Sequence, residues 1–64
     1  MCQTSALMEK DGGEELLLEN VTRIEVDEDG LNITTLFEGT NAWPKTAIRR
    51  IDFAAGKVYL YNKA

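Results

Sequence analysis

Met1-Cys2 places the one cysteine of this chain directly behind the initiator methionine. A thiolate there lies beside main-chain nitrogens, and sulfur with nitrogen chelates soft or borderline metals. Removal of Met1 would leave an amine and a thiolate on neighbouring atoms. Donors of this kind favour square-planar Ni(II) or Cu(II), with main-chain nitrogens of Cys2 and Gln3 completing the plane. One terminus supplies few ligands, so two copies meeting across a two-fold axis finish the set. The plainer alternative is an inert small hydrophobe at the start of a strand. With a single cysteine, an intramolecular disulfide is excluded.

The rest of the inventory offers little catalysis. There is no histidine, the commonest general base and metal ligand. No Cys-x-x-Cys pair exists to close a tetrahedral zinc site. Thr4-Ser5 and Thr34-Thr35 have no neighbouring base to activate them, and Gly12-Gly13 lacks the spacing of a phosphate loop. The expectation is that the chain is not an enzyme. Asp27-Glu28-Asp29 before Gly30 resembles half a calcium loop, but the twelve-residue ligand spacing and closing glutamate are missing, so it reads as a solvated acidic turn. Trp43 and the Tyr59/Tyr61 pair could stack bases. Eleven acidic residues against seven basic ones repel a phosphate backbone, however, and nucleic-acid binding is not expected.

A chain of 64 residues reads as one domain spanning 1–64. Such a chain buries only about 60% of its unfolded surface, so its thin core must be unusually well packed, dimeric, or stapled by a metal shared between protomers, and a dimer is expected. No apolar run is long enough to span a bilayer and no signal-peptide pattern is present, which predicts a cytoplasmic protein with a reduced thiol. In that compartment the sequons at Asn20 and Asn32 are ordinary strand and turn residues.

The elements that must position Cys2 are strands. Turn signals recur about every 8–12 residues, as in a sandwich or barrel. Asp11-Gly12-Gly13-Glu14 separates Ala6-Leu7-Met8 from Leu16-Leu17-Leu18, and Glu19-Asn20 makes a second break. Six residues at Glu14–Glu19 are too few for an isolated helix, and β context on both sides argues for a strand. Asp27–Gly30 then precedes Leu31–Phe37, where Leu31, Ile33, Thr35 and Phe37 share one face. Glu38–Asn41 reads as a loop and Ala42-Trp43-Pro44 as an edge or strand end. Along Ala47–Phe53, Ile51 and Phe53 are expected inward, with Ile48, Arg50 and Asp52 opposite. Ala54–Lys57 turns into the closing strand, which sends Val58 and Leu60 to one face and Tyr59 and Tyr61 to the other. The predicted fold is an all-β, small antiparallel barrel of five or six short strands. Its expected core is Leu31, Ile33, Phe37, Ile51, Phe53, Val58 and Leu60.

Taken in order, several landmarks resemble the CooT family of small nickel-binding proteins, which accompany the nickel-dependent carbon monoxide dehydrogenase system. They are Met1-Cys2 with the first strand, Asp11-Gly12-Gly13, Glu19-Asn20-Val21, Leu31 through Glu38, and Ala47 through Asp52. The resemblance spans nearly the whole chain. It implies a β-barrel homodimer holding one Ni(II) at its interface through Cys2, with Gln3 contributing main chain. It further implies a metallochaperone or nickel carrier whose partners are a nickel enzyme or its maturation proteins. An RNA-binding role has also been suggested for this family, and the acidic charge here opposes it. A second resemblance is to HypC-type chaperones of hydrogenase maturation, which share the Met-Cys start. After it this chain reads Gln3-Thr4-Ser5-Ala6 rather than their Leu-Ile-Pro-Gly-like run. The alternative they imply is a module in which Cys2 docks on a client protein.

Overall fold

The computed structural model describes residues 3–63. Its elements are strands throughout: β1 (Thr4–Lys10), β2 (Gly13–Val26), β3 (Gly30–Thr35), β4 (Gly39–Pro44), β5 (Thr46–Asp52) and β6 (Lys57–Asn62). They form one sheet in the order β4-β3-β2-β1-β6-β5. The Glu14–Glu19 segment is strand, as its β context predicts. Neighbours are antiparallel except β1 and β6, which run parallel from Ser5 opposite Lys57 to Met8 opposite Leu60. Local alternation carries no record of strand direction, so this pairing is invisible in the sequence.

β2 is long enough to serve two neighbours. Residues up to Val21 pair with β1, and Val21 onward pairs with β3. The expected break at Glu19-Asn20 is a bend within this strand: Asn20 has φ 59°, a left-handed conformation that asparagine tolerates, and register shifts follow. The two edge strands, β4 and β5, are joined by Lys45 alone. A one-residue link between opposite edges forces the sheet to curl so that those edges approach at this corner, and the result is a half-barrel. Lys45 (φ 57°) pins the corner. Its N–H donates to the Asp29 carbonyl at 2.6 Å, and its own carbonyl accepts from Lys63 N–H at 2.7 Å. Gly30 belongs to the same corner. A Cβ there would strike the Trp43 carbonyl oxygen and lie 2.9 Å from Pro44 Cα, so no side chain fits.

The core consists of Ala6, Leu31, Ile33, Val58 and Leu60, flanked by Met8, Leu17, Ile24, Trp43 and Ile48. Four expected core residues are therefore in place: Leu31, Ile33, Val58 and Leu60. Three are not. Phe37 is 79% exposed because β3 stops at Thr35, whose hydroxyl accepts the Glu38 N–H at 3.1 Å and closes the turn. That turn occupies residues 36–38, so Gly39–Asn41 belongs to β4 rather than to a loop. Pro44 ends β4, an edge strand, where its missing N–H costs nothing. In β5 a register shift between Ile48 and Arg50 puts an extra residue at Arg49. Ile48 thus lies opposite inward-facing Leu60 and joins the core, contrary to the expected alternation. Ile51, opposite Val58, shares that side but lies past the packed region and is 44% exposed. Phe53 stands in the β5–β6 turn, 87% exposed.

Candidate metal centre at the start of strand 1

Cys2, the predicted thiolate ligand, lies outside the described residues, and the structure begins at Gln3. Gln3 is exposed and leads directly into β1. Its surroundings are set by strands distant in sequence. On one flank Thr4 pairs with Val21 of β2, and on the other Ser5 pairs with Lys57 of β6. The Ser5 N–H donates to the Gly56 carbonyl at 2.9 Å. The β5–β6 turn presses against Gln3 so closely that a Cβ on Gly56 would come within 2.7 Å of the Gln3 carbonyl oxygen. Gly56 also has φ +67°, so both conformation and space require glycine. Asp52 Oδ1 accepts the Ala55 N–H at 3.0 Å and holds this turn in shape.

Beside Gln3 runs an open groove. Its apolar lining is Val21, Ile24, Ile51, Phe53 and Val58, and its charged residues are Arg23, Asp52 and Lys57. Among the described residues no three histidine, cysteine or acidic side chains gather as a metal site would require. Asp27, at the head of the acidic turn, uses its carboxylate on its own loop: Oδ1 accepts the N–H groups of Asp29 and Gly30, and Oδ2 accepts Asn32 Nδ2. That is the arrangement of a turn rather than of a cation loop.

A second constellation, which the sequence reading did not assemble, crosses the opposite side of the sheet. Glu9 of β1 sits between two arginines of β5, with Oε1 at 2.9 Å from Arg49 Nε and Oε2 at 2.7 Å from an Arg50 terminal nitrogen. Arg50 reaches Glu14 at 3.6 Å as well. Each guanidinium also stacks on a tyrosine of β6, Arg50 over Tyr59 at 3.9 Å and Arg49 over Tyr61 at 4.6 Å. Partial desolvation works against the Arg50 charge, but the Glu9 carboxylate outweighs it and its pKa is raised. The signal available in sequence was the Arg49-Arg50 pair itself. Its partner lies 41 positions away, so only the fold connects them. These tyrosine faces are covered by arginine, and Trp43 packs against the core with its indole N–H buried and unpartnered among the described residues.

Comparison with known proteins supplies the context for this end of the sheet. A crystal structure from Carboxydothermus hydrogenoformans, of a protein assigned to CooT, superposes with a TM-score of 0.86 at 27% identity, covering 98% of this chain and all of that one. Among curated proteins, none matches. The profile of the family described as "CO dehydrogenase accessory protein CooT" matches residues 1–61, Cys2 included. A six-stranded half-barrel with the same extent and path as the CooT structure, matched by that profile over nearly its whole length, belongs to the CooT family of CO dehydrogenase accessory proteins.

Proposed function

We propose that this protein is a nickel-binding accessory factor, a metallochaperone or nickel carrier, in which Cys2 thiolates and nearby main-chain nitrogens of two chains hold one Ni(II) between protomers. The family match through Cys2 is the observation that carries this reading, since accessory proteins of a nickel enzyme have a chemical reason to handle its metal. The geometry around Gln3 supports it. Its exposed position leaves its main chain within reach of an ion held by the adjacent thiolate, while the turn at Gly56 steadies the strand behind it. A thiolate with amide nitrogens suits Ni(II) better than a hard cation. In this reading the nickel is cargo, and the recipient is a nickel enzyme or its maturation machinery in the cytoplasm.

Calorimetric titration of Ni(II) into reduced protein, with the state of Met1 checked by mass, tests the proposal. The expected result is one ion per two chains for the wild type and loss of that binding in Cys2→Ser. Nickel binding that survives the substitution, or none in the wild type, would overturn it. In that event a client-docking role for Cys2 becomes the better reading.

A further inference from the structure

Strand β2 outruns its neighbour. β3 pairs with it from Val21 to Val26, and past Thr35 the chain turns away into β4. Beyond that ladder, the Leu36 N–H still donates to the Asn20 carbonyl at 2.9 Å. Residues 13–19 of β2 pair with β1 on one side, and on the other they border no strand among the described residues. Main-chain N–H and C=O groups alternate between the two sides of a strand, so this stretch presents unpaired donors and acceptors to solvent. From Leu7 opposite Leu16 to Lys10 opposite Gly13 the register is regular, and no bulge interrupts the row there. The outer edges of the sheet are less suited to a ligand. β5 is broken by the bulge at Arg49, and β4 has no large exposed apolar side chain along it.

The β2 edge has such side chains beside it. Where β3 leaves off lies a depression lined by Leu16, Leu18, Phe37, Glu19 and Glu38, among others. Leu16 is 51% exposed and Phe37 79%. The opening therefore suits a strand that bonds to the β2 backbone and sets an apolar side chain against Leu16 or Phe37. Charge selects the occupant. Glu19 and Glu38 are the charged residues of the lining, and neither carboxylate has a hydrogen bond or ion pair among the described residues. The arginines are already paired, Arg23 with Glu25 and both Arg49 and Arg50 with Glu9. A second copy would bring further acid, since Glu14, Glu15 and Glu19 lie along this same edge. An edge so charged turns away acidic strands and accepts one of opposite charge.

We propose that residues 13–19 of β2, with Phe37 and Glu38, bind an extended segment of another protein that alternates apolar and basic side chains, added as a strand where β3 stops. The site lies toward the end of β1 away from Gln3, and it goes beyond the nickel reading because it needs no metal. Amide NMR titration of the metal-free full chain with a peptide of the same length, alternating valine and lysine, tests it. The expected result is saturable shifts at residues 13–19 and 36–38 that weaken in high salt. Joint Glu19→Lys and Glu38→Lys substitution weakens binding by roughly 10-fold or more, and Phe37→Ser acts in the same direction. Methylating one alternate set of peptide amide nitrogens abolishes binding, whereas methylating the other set leaves it, because an added strand turns only one set toward β2. A valine–glutamate peptide does not bind, and Cys2→Ser binds as the wild type does. No saturable shift, shifts confined to other residues, an equal response to the two methylated sets, or equal binding of the acidic peptide would overturn the proposal. So would concentration-dependent shifts of the same amides without peptide, which would give the edge to a second copy. Nickel titration of the same samples keeps the two readings apart, since either binding can fail while the other persists.

Discussion

Strand β5 contributes to two surfaces that differ in kind. Arg49 and Arg50 lie in a network where both Glu9 oxygens, both guanidiniums and both tyrosine rings already have partners within the chain. One residue further on, Ile51 and then Phe53 carry large apolar side chains that the described residues leave partly (Ile51) or almost wholly (Phe53) exposed. The first region is chemically saturated and needs no ligand to be satisfied. The second is not. The comparison teaches that function is better sought where satisfaction is incomplete.

The comparison can be broken or sharpened by substitution. Leu60, fully buried under both regions, should have the largest effect: Leu60→Ala is expected to cost about 2–5 kcal/mol in urea denaturation, enough to bring so small a domain close to unfolding. Gly30→Ala comes next, at roughly 1–3 kcal/mol by the same measurement, because the added methyl forces the Trp43–Pro44 backbone aside. For the saturated network, Glu9→Gln is expected to cost about 1 kcal/mol or less, since both arginine side chains are more than half exposed, and to change neither nickel stoichiometry nor association. A loss of nickel binding in that variant would show that the network belongs to the functional site after all. Phe53→Ser should change the stability of the isolated chain by no more than about 0.5 kcal/mol, because its ring is nearly all in solvent. The smallest effect concerns Glu15. A hydrogen bond from Lys10 and the Lys10 charge hold its pKa below 4.5, so their contribution to folding is present above that value and fades as pH falls through the lowered pKa. Lys10→Met should return the Glu15 carboxyl titration, followed by NMR, toward 4.5.

Much of the fold was legible because β structure writes a period-two pattern. Leu31, Ile33, Val58 and Leu60 were readable as core from alternation alone. Phe37, Ile51 and Phe53 were not, and the causes are specific. A turn capped by Thr35 ended one strand early, Ile51 kept the inward side but lay past the packed region, a turn carried Phe53 into solvent, and the bulge at Arg49 brought Ile48 into the core instead. Each rests on backbone geometry that leaves no mark on hydrophobic periodicity.

The sequence by itself determined that this chain is built of strands, that it is acidic, and that its sole thiol lies at residue 2. Those are matters of local propensity, composition and covalent order, complete before any folding. The tertiary structure decided the bend at Asn20, the parallel pairing of β1 with β6, the one-residue corner at Lys45, and the seating of Gln3 against the Gly56 turn beside an open apolar groove. These join residues up to fifty-odd positions apart, and such contacts form only when burial of a shared core outweighs the chain entropy lost in bringing them together.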